Sequence, residues 1–146
     1  MSRVVKLNSP GKVRSQLMRT AAEVIRRLGQ KSRMDEEARD MAALLVYCFR
    51  QIDRGIEDTV RAWEKRDYWI KAERFRRRWD WAGRAAADLE AIVRDGAWDE
   101  LPTVLIGLLP HFEEIKIAKY TRNPSLWRGA YERFLREEAP PTSKEA

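Results

Sequence analysis

Cysteine, histidine and proline are scarce in this 146-residue chain, and each scarcity excludes something. The one cysteine, Cys48, rules out an internal disulfide framework. It lies in the apolar run ALLVYCFRQI, where a thiol acts as a small hydrophobe rather than a nucleophile. The one histidine, His111, rules out His-rich metal sites and two-histidine helical motifs. No GxGxxG and no phosphate-loop signature occurs. The expectation is a non-enzymatic protein with no catalytic residues, no metal and no cofactor. The longest apolar stretches, MAALLVYCF and VLIGLL, fall far short of the roughly 20 residues that span a bilayer. No apolar run of leader length follows the basic N-terminus, so a cytoplasmic protein without a membrane partner is expected. The six prolines leave residues 11–101 free of proline, and β-branched residues are few. Strands therefore have little support, and long helices have room.

What the chain does contain is apolar residues at helical spacing. Ser9 and Pro10 form a cap and a first-turn proline, and Val13, Leu17, Ala21, Val24 and Leu28 follow on one stripe up to Gly29. A second helix starts at Ser32 or Asp35, with Glu36 and Glu37 complementing its dipole. Its apolar positions run Met41, Leu45, Cys48, Ile52, Ile56 and Trp63, and Gly55 marks a break, a kink or a close contact. In the third segment Tyr68, Ala72, Phe75, Trp79, Ala82, Ala86, Leu89 and Val93 alternate steps of four and three, a heptad-like seam ended by Asp95-Gly96. Pro102 opens a fourth helix, Pro110 ends or kinks it before HFEEIKIAKY, and Asn123-Pro124 opens SLWRGAYERFLRE. With 44% hydrophobic residues and this length, the reading is one all-α domain. It is a bundle of four to six helices with long antiparallel helices over residues 9–138, flanked by a flexible arm (1–8) and a disordered tail (139–146).

Charge is uneven. The chain carries a net +6, and arginine outnumbers lysine 21 to 8. Residues 1–33 and 61–84 are basic, while 34–60 and 85–101 are acidic. That alternation suits pairing between neighbouring helices as well as an external polyanion. Two basic faces emerge. The first helix presents Lys12, Arg19, Arg26 and Arg27, with the acidic second helix as an internal partner. In RFRRRWDWAGR of the third helix, Trp79 belongs to the seam, but Trp81 points roughly 160° from its centre line, ringed by Arg74, Arg77, Arg78 and Arg84.

An outward indole among guanidinium groups suits single-stranded nucleic acid, with arginine on phosphate and the ring on a base. It suits a protein hot spot too, and the six tryptophans suit helix–helix interfaces. A third reading makes Trp81, Ile70 and Trp63 a second buried stripe under snorkelling arginines. The preferred expectation is association with RNA or single-stranded DNA by backbone and stacking contacts through these nine residues. The alternative is a helical protein–protein interaction module, either a homo-oligomer or a small subunit of a larger assembly. His111 and Glu114, three residues apart, form at most a polar pair. The clusters Asp35, Glu36, Glu37, Asp40 and Asp53, Glu57, Asp58 look like caps and solvated faces.

Overall fold

The computed structural model describes residues 9–137, which form five α-helices and, among them, no strand. The expected arm (1–8) and tail (139–146) lie outside the described residues. The helices are α1 (Pro10–Gly29), α2 (Glu36–Lys65), α3 (Trp69–Asp95), α4 (Leu101–Leu108) and α5 (Ala130–Glu137), with single 3-10 turns at Trp98–Glu100, Leu109–Phe112 and Pro124–Leu126. Ser9 caps α1 by accepting from the Lys12 N–H at 3.2 Å, and Asp35 caps α2 by accepting from the Ala38 N–H at 2.9 Å.

The core is built around α2, which packs against α1, α3 and α5. Its extended run of buried residues from Ala38 to Val60 explains why the middle of its sequence is apolar on more than one face. Between α2 and α3 only three residues turn the chain into an antiparallel hairpin. There Asp67 adopts a left-handed φ of 66°, the Tyr68 N–H donates to the Trp63 carbonyl and the Asp67 N–H to that of Glu64. This is a Schellman stop made without glycine.

Gly55 neither breaks nor kinks α2, which runs through it with open space where a Cβ would sit. The close approach is on the partner helix. A Cβ at Gly83 would lie 2.8 Å from Asp53 Oδ1, so a glycine in α3 lets the hairpin arms meet there. Arg76–Glu57 at 3.4 Å joins the same two helices, as the charge alternation suggested, and Arg50–Glu90 at 2.7 Å joins them too, although both of its segments are acidic overall.

The α3 seam is buried at Ala72, Ala82, Ala86, Leu89 and Val93, but Tyr68 is exposed and precedes the helix. Phe75 and Trp79 are half-buried, because the Arg14 guanidinium of α1 covers their rings at 5.1 and 5.3 Å.

After Phe112 the chain departs from helical expectation. Residues 113–123 have no helix, Asn123-Pro124 opens only a 3-10 turn, and α5 starts after Gly129 (φ 80°). The backbone donors this irregular stretch leaves over are taken by carboxylates of α1 and α2. Glu23, 1% exposed, accepts from the N–H groups of Thr121 and Arg122, both at 3.0 Å, and from Arg27 Nε at 3.1 Å. Asp40, expected to be solvated, is buried and accepts from the N–H groups of Gly129 and Tyr131 at 3.0 and 2.9 Å. Glu37 accepts from the indole N–H of fully buried Trp127 at 3.2 Å.

Two stability predictions follow from these carboxylates. Burial alone would raise the Glu23 pKa, but the N–H groups of Thr121 and Arg122, with Arg27, outweigh it and hold the carboxyl below its ordinary value. Its contribution is complete above the unfolded pKa near ~4.3 and is lost as pH falls through the lower folded value. Glu23→Gln is expected to cost about 3 kcal/mol near neutral pH, read as a lower urea midpoint at unchanged slope. Asp53 behaves oppositely. Burial, then Glu57, raise its pKa against the pull of Arg54, so ionisation in the fold is unfavourable. That cost sets in as pH rises through the ordinary Asp value near ~3.9 and is full above the raised folded one. Asp53→Asn should raise Tm at about pH 7, with the gain fading towards about pH 4.

Candidate functional site

On α3, with about 100° per residue, Ile70, Arg74, Arg77, Arg78 and Trp81 share one face. The structure treats the two ends of that face differently. At the C-terminal end the 3-10 turn Leu109–Phe112 closes over it. The His111 ring lies parallel to the Trp81 indole, with centroids 3.9 Å apart and 5° between planes. Trp81 also stacks on Trp79 and meets Phe49 and Phe112 edge-on. It is half-buried, and with buried Ala85 and Ile92 it forms the second packed stripe, under α4 and its following turn. Trp63 is half-buried too, against Phe75, but Ile70 is fully outside.

The N-terminal end stays open. Tyr68, Trp69 and Ile70 at the hairpin tip are 48, 58 and 69% exposed among the described residues. Lys71 lies beside them, its Nζ 4.5 Å from the centre of the Trp63 ring and 6.0 Å from that of Tyr68. Exposed Arg74 and Arg78 continue the face without an ion pair to any described residue. Arg77 and Arg84 are exposed as well, each bonded to the acid four residues before it, Glu73 and Asp80. Burial, then the nearby charge of Arg78, lower the pKa of Arg14.

The four α1 residues have a different setting. Lys12 is exposed near the start of the helix. Arg19 donates to the Lys116 carbonyl at 3.2 Å and Arg26 to that of Ile117 at 2.9 Å. Arg27 bonds Glu23, donates to the Arg122 carbonyl at 3.4 Å and covers the rings of Tyr120 and Trp127. The basic face of α1 thus holds the irregular 113–122 segment rather than the acidic face of α2.

Comparison with known families, with curated proteins and with solved structures finds no match to this chain.

The sequence pattern missed the hairpin tip, because Tyr68 fits the seam spacing and so reads as core. A signal was present in RDYWI. Three large apolar residues in succession cannot all face inward from the first turn of one helix. Of the chemistry-bearing residues, Cys48 is buried and its thiol pushed up to about 12 by desolvation. Among the described residues no three side chains converge as metal ligands.

Burial, with the charge of Arg84, lowers the His111 pKa. Below the ordinary value near ~6.5 the unfolded chain binds the proton more readily than the fold, so stability falls with pH there. Urea midpoints should therefore decline between about pH 7 and 5, and His111→Phe, which keeps a ring on Trp81, should flatten that decline.

Proposed function

We propose that this protein binds single-stranded nucleic acid, RNA or DNA, without catalysis, along the open half of the α3 face. The supporting observation is the exposed pair Tyr68 and Trp69 at the head of a strip formed by Lys71, Arg74, Arg77 and Arg78. Aromatic faces accept any base, and the cations behind them lie along the path a phosphate backbone takes from a stacked base. Arginine adds bidentate phosphate contacts that lysine does not make. Phosphate and stacking contacts carry no direct sequence information, so the reading is sequence-tolerant binding. Trp81 drops out as a platform because His111 already occupies its outer face. Arg19, Arg26 and Arg27 drop out as a phosphate track because each gives at least one donor to the protein's own carbonyls. The binding part of the expected set is thereby reduced to Arg74, Arg77 and Arg78, with Arg84 and Lys12 at a distance.

A protein partner is the second reading, favoured by one observation. Ile70 is the most exposed large hydrophobic residue described, and an aliphatic side chain offers a base no stacking surface.

Fluorescence anisotropy with labelled oligomers of about 12 nucleotides tests the first reading. Neutralising four phosphates predicts a loss of about fiftyfold in affinity between roughly 50 and 200 mM salt. Trp69→Ala should weaken binding about tenfold, whereas Trp81→Phe should leave it unchanged. No binding at the lower salt, with a dimer in light scattering that Ile70→Asp splits, would replace this reading by the second.

A further inference from the structure

The last turns of α1, helix α4 and residues 115 and 117 line a half-open cavity of about 740 Å³, and none of the hairpin-tip residues belongs to its wall. Pockets that hold small organic ligands commonly measure about 300–1,000 Å³. Its wall is aliphatic and aromatic: Ile25 and Leu28 from α1, Leu105 from α4, Leu109 and Phe112 from the turn after it, and Ile117. At the mouth Ile106 and Leu109 remain 65 and 50% exposed, a contiguous apolar surface that a soluble helix rarely leaves open.

Every ionisable side chain in the lining is a base, namely Arg26, Lys31 and Arg33. Their engagement differs. Lys31 is held by Asp35 and Glu37, both at 2.9 Å. Arg26 gives one N–H to the Ile117 carbonyl and keeps its other donors. Arg33 is exposed and makes no ion pair at contact distance with a described residue, although its charge helps to lower the pKa of Asp35, the carboxylate that also holds Lys31. The C-terminal end of α1 disfavours an anion at the mouth, so attraction comes from the guanidinium groups rather than the helix dipole.

We infer that this cavity binds a monomeric amphiphile with a carboxylate head and a single alkyl chain. The chain replaces water against the α1 and α4 walls, and the head is held by Arg33 and the free N–H groups of Arg26. Charge complementarity selects this occupant over a neutral or cationic one, because the lining offers cations and no carboxylate. The inference is independent of nucleic-acid binding, which uses the hairpin tip.

Isothermal titration with dodecanoate and dodecyltrimethylammonium below their micellar concentrations, and with 1-dodecanol below its solubility limit, tests it on the full chain. Dodecanoate is expected to fill one site at micromolar concentration, and the cation to bind at least tenfold more weakly. Arg33→Glu should weaken dodecanoate about tenfold and leave dodecanol unchanged. Ile106→Asp should weaken both. Both side chains are exposed, and circular dichroism verifies that each variant is folded. The inference is overturned by equal affinity for the two opposite head groups, by binding that Ile106→Asp leaves intact, or by the absence of a saturable site. Binding to anionic vesicles alone, or a dimer that Ile106→Asp dissociates, would overturn it equally by giving the apolar mouth another occupant.

Discussion

The buried carboxylate of Glu23 is the interaction on which the C-terminal third of the bundle depends. A segment without helix or strand has backbone N–H groups that must find acceptors once it is packed against a core. Here Glu23 takes two of them, and Asp40 takes two more at the next turn of the chain. A carboxylate accepts several N–H bonds at once, and bonds to a charged acceptor are stronger than those to a carbonyl. The arginines of α1 supply the reverse half of the arrangement, donating to the carbonyls of Lys116, Ile117 and Arg122. The segment from 115 to 131 is thus held on α1 and α2 by charged side chains that do what a neighbouring strand would do for a sheet.

That arrangement also decides which surfaces are free. Because α1 uses its basic face internally, the basic surface left over belongs to α3. Because the turn after α4 lays His111 on Trp81, the aromatic left over lies at the other end of that helix. The hairpin stop at Asp67 leaves Tyr68, Trp69 and Ile70 beyond the reach of α1, α4 and α5. Packing and exposure here are one geometric problem: α2 and α3 are longer than the helices that cover them.

The helices were legible where apolar spacing and caps coincide. Ser9-Pro10, Asp35, and Asp95-Gly96 mark boundaries that the structure keeps, and the alanines of the α3 seam, Ala72, Ala82 and Ala86, are buried. Legibility failed where an interaction is long-range. Nothing near Glu23 or Asp40 in the sequence says that residues some ninety positions later will bring N–H groups to them. HFEEIKIAKY has a composition a helix accepts, and it is unwound by partners on other elements. The candidate site was half legible. The α3 arginine face was read from the wheel, but a wheel shows which residues share a side, not which end a neighbouring turn will cover.

Net charge is therefore a poor guide to function in this molecule, and arginine's chemistry explains why. Its planar fork of donors satisfies a carbonyl, a carboxylate and an aromatic face with the same group. Arg27 does all three at once. An arginine count measures interaction capacity, and how much remains for a ligand is set by how many carbonyls, carboxylates and rings the fold places within reach. Along α1 such acceptors are close at Arg19, Arg26 and Arg27, and the face is largely satisfied. Along the first half of α3 they are sparse: among the described residues Arg74 and Arg78 have no carboxylate at ion-pair distance, and both are exposed. The difference between the two basic faces lies in what the rest of the chain brings to them: Arg74 and Arg78 of α3 have no ion pair among the described residues, whereas on α1 only spare donors such as those of Arg26 remain.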